Sequence, residues 1–101
     1  MIGLVFALAA AAPSDDIVRD YMLCVRRTAA RLEPSGDSPT DIAEAAKVYC
    51  TPTRTAALNS ALKAGNSTAE IEAAADLYGR AQVVASRLCR KTKDCALAHI
   101  P

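Results

Sequence analysis

The stretch CVRRTAARLEPSGDSPTDIAEAAKVYC, residues 24–50, decides the fold. Its two cysteines flank a breaker segment, Glu33-Pro34-Ser35-Gly36-Asp37-Ser38-Pro39, whose centre, Asp37, lies 13 residues from each. Folding the chain at that centre makes an antiparallel helical hairpin with the sulfurs level. Helices packed about 8–10 Å apart can meet the Cα spacing of a disulfide where the intervening side chains are small. A Cys24–Cys50 bridge is therefore expected.

Both arms of the hairpin carry helix signals. Upstream, Ser14 reads as an N-cap followed by Asp15 and Asp16, where the helix dipole favours anions. At 100° per residue, Ile17, Val18, Tyr21, Met22, Cys24, Val25, Thr28, Ala29 and Leu32 fill an arc of about 160°. Arg19, Arg26, Arg27 and Arg31 lie on the opposite side. Pro34 should end this helix, because a residue before proline is pushed out of the α region. Ser38-Pro39-Thr40-Asp41 restarts it with a cap, a proline at the first helical position and an acidic residue three positions on. Ile42, Ala45, Ala46, Tyr49 and Cys50 then recur on one side.

Further along, Thr51-Pro52 repeats the cap-then-proline device, and Ala57, Leu58, Ala61 and Leu62 suggest a short third helix ending at Gly65-Asn66. Ser67-Thr68-Ala69-Glu70 is a capping box and opens the longest helix, expected to reach about Arg90. Asn66-Ser67-Thr68 also fits a glycosylation acceptor, but the helix cap is explanation enough. Ile71, Ala74, Ala75, Leu77, Tyr78, Ala81, Gln82, Val84, Ala85, Leu88 and Cys89 form an apolar arc of about 200°. An arc so wide predicts a helix embraced by the others. Its polar stripe holds Glu72, Asp76, Arg80, Arg87 and Arg90. Gly79 falls in that stripe and hints at a close contact. The tail beyond Cys95 is expected to fray.

The chain has 101 residues, enough for one domain. Residues 1–12 are apolar and end in four alanines before Pro13. They read as a secretory signal, too short to span a bilayer, although no basic residue precedes the apolar core. Residues 13–101 then form one small helical domain, of a size that often needs covalent staples. Four cysteines in an exported chain imply two disulfides. We read them as Cys24–Cys50 and Cys89–Cys95; the alternative joins Cys24 or Cys50 to Cys89. The expected fold is all-α, a disulfide-stapled bundle of about four helices, periplasmic or secreted.

The run Tyr21-x2-Cys24-Val25-x3-Ala29-x-Arg31-Leu32-Glu33-Pro34-Ser35-Gly36-Asp37-Ser38-Pro39-x2-Ile42-Ala43-x-Ala45-Ala46-x3-Cys50 resembles a pattern in small exported proteins of alphaproteobacteria. The resemblance covers residues 21–50. It implies an envelope location and paired cysteines, and no activity.

Chemistry is sparse. Net charge is +1, with both signs interspersed, so no nucleic-acid footprint stands out. Trp is absent and the one Phe lies in the leader, which removes an aromatic stacking platform. Cys89-x5-Cys95-x3-His99 offers three zinc-type ligands, but oxidation would pair the thiols and leave His99 alone. His99 also lacks a triad partner in any recognisable frame. Asp15/Asp16 and Glu70/Glu72/Asp76 read as caps and a solvated face. No catalytic residue, cofactor or metal is expected.

Leu23 and Val83 break the amphipathic pattern outward; together with Arg26 and Arg27 they are a candidate partner patch. The expected role is that of an exported, non-catalytic interaction protein with an envelope protein as partner. Alternatives are a periplasmic stress or chaperone-like protein and an enzyme inhibitor presenting the 33–39 loop.

Overall fold

The computed structural model describes residues 12–100, with side chains from Asp16 onward. Four helices follow one another: α1 (Ala12–Leu32), α2 (Pro39–Tyr49), α3 (Thr51–Lys63) and α4 (Thr68–Thr92). Short 3-10 turns cover Glu33–Ser35 and Ala96–Ala98. The all-α, four-helix expectation holds. The expected leader, residues 1–12, lies outside the described residues except for Ala12. Ser14 is no cap: it lies within α1, which the structure describes from Ala12 onward.

α1 and α2 form the hairpin, and Cys24 is bonded to Cys50 with Cα atoms 6.0 Å apart. Thr28, one turn beyond Cys24, sets its hydroxyl 3.5 Å from the Cys50 sulfur. Small residues permit this approach, since Ala29, Ala43 and Ala46 are fully buried. Cys89 is bonded to Cys95, and the described residues contain no free cysteine. The alternative linking Cys89 to the hairpin is thereby excluded.

The turn between α1 and α2 is tighter than the sequence suggests. Pro34 does not throw the chain into extended backbone. Helical geometry continues as a 3-10 turn through Ser35 and stops at Gly36, whose φ of +83° is open to glycine at little cost. Glu33 is thereby carried inward and buried. Ser38 then caps α2, accepting a hydrogen bond from the Asp41 amide at 3.1 Å.

The α2–α3 junction corrects one expectation. Thr51 does not cap α3; it is the first helical residue, and its hydroxyl donates back to the Val48 carbonyl. Thr53 donates to the Cys50 carbonyl at 2.9 Å and closes the corner. At the far end of α3, Asn66 N–H bonds Ala61 O and Gly65 N–H bonds Leu62 O, the Schellman pattern that Gly65-Asn66 predicts. Ser67 caps α4 through the Ala69 amide.

The core collects Tyr21, Met22, Val25 and Ala29 of α1, Ile42, Ala46 and Cys50 of the α2 end, Ala57 of α3, and Ala75 and Val83 of α4. Tyr49, expected on the inner side of α2, is exposed instead; the charged Lys47 takes the inner place. Leu62 of α3 is likewise exposed.

The orientation of α4 reverses expectation. Its buried residues are Ala75, Gly79, Gln82 and Val83. The stripe read as polar thus faces the other helices, and much of the apolar arc faces out. Gly79 supplies the reason. A Cβ placed there would sit 2.9 Å from Ala43 Cβ, 3.1 Å from Val25 Cγ1 and 3.2 Å from Ala43 Cα. The backbone of α4 lies directly against α2 and α1, an approach only glycine allows.

Candidate interaction surface

Charged residues on the inner stripe of α4 join the helices at three places. At the α3 end, Glu72 receives the Tyr21 hydroxyl at 2.7 Å and the Arg54 guanidinium through Nε at 2.9 Å. Burial opposes charge on Glu72, but hydrogen bonds from Tyr21 and Arg54 and the nearby Arg54 and Lys47 charges outweigh it. Its carboxyl is held below the usual range. Burial first, then the bond to Glu72, pushes the Tyr21 phenol well above its ordinary value. Arg54's own hydrogen bond to Glu72 raises its guanidinium further.

At mid-helix, Lys47 lies 2.9 Å from Glu44 and 3.7 Å from Asp76, and Asp76 stands 3.0 Å from Arg80. At the far end, the Glu33 carboxylate, 4% exposed, pairs with Arg87 at 3.3 Å and with Arg90. Arg87 also donates to the Asp37 carbonyl. Glu72 and Asp76, expected on a solvated face, are instead interhelical joints.

A fourth joint holds the tail. Buried Gln82 accepts from Arg26 Nε at 3.2 Å and donates to Ser86 at 3.2 Å and to the Ala98 carbonyl at 3.0 Å. Arg26 also donates to the His99 carbonyl at 3.0 Å. The expected fraying of the tail is therefore corrected as far as His99: the Ala96–Ala98 turn is pinned. The bend before it uses Lys93 in the left-handed region, φ +65°, with its N–H on Cys89 O. His99 is exposed, and the Cys89 and Cys95 sulfurs are bonded to each other and hold no thiolate for a metal.

With the charges turned inward, α4 presents apolar side chains outward. Leu77 is 58% exposed and Val84 56%, with Tyr78 and Leu88 also open. Leu97 of the pinned tail, 77% exposed, rises beside them. They line a groove of about 740 Å³ together with Pro39, Thr40, Ala81 and Ala85. Its charged lining is limited to Arg26 and Arg80. No group of three or more metal-ligating side chains occurs among the described residues, and no described helix is long and apolar enough to cross a membrane.

The patch expected from Leu23, Val83, Arg26 and Arg27 does not form as drawn. Val83 is fully buried, because the face it occupies is the packed one. Arg26 is held by Gln82 and the tail. Leu23 is half-buried and lines a smaller recess with Arg27, Arg31 and Thr53. The larger surface was missed in sequence because an apolar arc was assumed to face inward. The one signal against that assumption was Gly79, opposite the arc, marking the side of close approach. No family model, curated protein or solved structure matches this chain.

Proposed function

We propose that the chain is an exported, non-catalytic interaction protein that binds through the outward face of α4. The observation that carries this is the inversion of α4, which leaves Leu77, Tyr78, Val84 and Leu88 in water along one open groove. Single exposed aliphatics are ordinary, but a contiguous apolar stripe with polar edges marks a contact surface. The two disulfides support a location outside the reducing cytosol. A non-catalytic role is supported by where the charges are. Glu33, Glu72, Asp76 and their cations hold helices together, and the groove gathers no acid, base and nucleophile in one frame.

The test is site-specific photocrosslinking in cells that export the chain. Benzophenone side chains at position 77 or 84 should give discrete adducts identifiable by mass spectrometry. The same group at exposed Val48, outside the groove, should not. Equal labelling at all three positions, or none at 77 and 84, would overturn the proposal.

A further inference from the structure

The outward stripe of α4 has a register that its burial alone does not require. Glu70, Ala74, Leu77, Ala81, Val84, Leu88 and Lys91 follow one another at spacings of 4, 3, 4, 3, 4 and 3 residues. That is the heptad seam of a helix built to pack along another helix. Six of the seven are exposed, and Ala74, which also packs against the core, is half-buried. The seam faces away from Gly79 and Val83, so it is a second packing face on a helix whose first is already used. It covers about 31 Å of helix at 1.5 Å per residue.

The seam is also complementary to its own reverse. If a second α4 lies antiparallel on it, Ala81 meets Ala81, Leu77 meets Val84, and small Ala74 meets large Leu88. Glu70 meets Lys91 at both ends. Every apolar layer then pairs alanine with alanine, alanine with leucine, or leucine with valine, and the outer layers pair opposite charges. A parallel arrangement would stack Glu70 on Glu70 and Lys91 on Lys91. Arg80, at the edge of the seam, has Asp76 3.0 Å away and brings no unpaired charge toward the centre. A surface complementary to itself is what two-fold assembly needs.

Taking α4 as the binding face, we propose that its occupant is α4 of a second copy of this chain, antiparallel about a two-fold axis through Ala81. The helix dipole already favours Glu70 in the first turn and Lys91 in the last, so their placement could serve the monomer alone. The charge-exchange experiment separates the two roles. Sedimentation velocity on the purified oxidised chain should show a concentration-dependent monomer–dimer equilibrium. Glu70→Lys and Lys91→Glu should each weaken dimerisation roughly tenfold, since two attractive contacts become repulsive. The double variant should regain the dimer, although a dipole role alone would make it the worst of the three. Ala81→Cys should form an intermolecular disulfide on mild oxidation, because both sulfurs lie at the axis.

A monomer at every concentration overturns the self-association. So does a dimer that the double exchange fails to rescue. A groove occupied by the chain's own residues 1–11 would also overturn it, and would appear as a monomer whose Leu77 is protected only when those residues are retained. If the protein is monomeric while positions 77 and 84 crosslink to another protein, the second-copy inference fails and the interaction reading stands. Absence of both sinks the two together.

Discussion

Replacing Gly79 with alanine tests the packing of α4 by the sign of the effect. In an exposed helix, Gly→Ala stabilises by about 1 kcal/mol, because alanine loses less backbone entropy on folding. At position 79 the new methyl group would meet Ala43 Cβ at 2.9 Å, Val25 Cγ1 at 3.1 Å and Ala43 Cα at 3.2 Å. Two of these three atoms belong to an alanine and cannot rotate away. Relief requires α2 and α4 to separate, which loosens contacts around Ile42, Ala46 and Val83 as well. Overpacking of this kind costs about 1–3 kcal/mol and more where backbone must move. Taking about 3 kcal/mol against the gain of about 1 leaves a net loss of about 2 kcal/mol. Urea unfolding followed by far-ultraviolet circular dichroism on the oxidised protein is the assay. With a slope of about 1 kcal/mol per molar urea for a chain of this size, the midpoint should fall by about 2 M. Ala43→Gly in the same background should recover part of that loss, because it removes the nearest obstructing atom. If Gly79→Ala raises the midpoint, α4 does not lie against α2 as described, and the inversion of its faces is refuted.

Other consequences are as direct. Replacing both Cys24 and Cys50 with alanine should cost about 3.5 kcal/mol from the 26-residue separation alone, measured by the same urea titration. A loss under about 1 kcal/mol would mean the hairpin is held by packing without help from the bridge. Glu72 is held below its usual range, so its contribution is complete above the ordinary carboxylate value of 4.5 and is lost as pH falls through the depressed value. Tyr21 is raised, so its contribution is complete below 10.0 and disappears as pH rises beyond it. Glu72→Gln should therefore weaken the fold at neutral pH and flatten its acid dependence, read from melting temperature between pH 3 and 7; an unchanged acid limb would refute the assignment. Lys93→Gly should stabilise by about 0.5–1 kcal/mol, since lysine holds the left-handed cap there, and a neutral or negative result in thermal melts would contradict that geometry.

Backbone punctuation made much of this fold legible in the sequence. Ser38-Pro39, Gly65-Asn66 and Ser67 act locally, so their helix ends could be placed within a residue or two. The hairpin and the Cys24–Cys50 bridge followed from the symmetry of one breaker segment. The faces of α4 were not legible in the same way. Periodicity separates two stripes but does not say which is covered, and the usual rule sends the apolar one inward. Here Gly79 sits in the charged stripe, and close backbone approach, together with interhelical partners for Glu72, Asp76, Arg87 and Arg90, favours that side. Those partners, Arg54, Lys47 and Glu33, are 18 to 57 residues away in sequence, beyond the reach of any local pattern. Val83 was misplaced for the same reason. The pinned tail was missed because its anchor, Gln82, looks in sequence like a polar interruption of an apolar arc.

The two sulfur bridges divide the molecule unequally. One loop of covalent bonds encloses the hairpin, the other encloses only the end of α4 and its tail, and no bond joins the loops except the single peptide path through α3 and Gly65. Under oxidising conditions packing and the peptide chain alone hold α4, so we expect it to open as one piece while the hairpin stays cross-linked. Amides around Cys24 and Cys50 should then outlast those of α4 in hydrogen exchange, giving two classes of protection within one small domain.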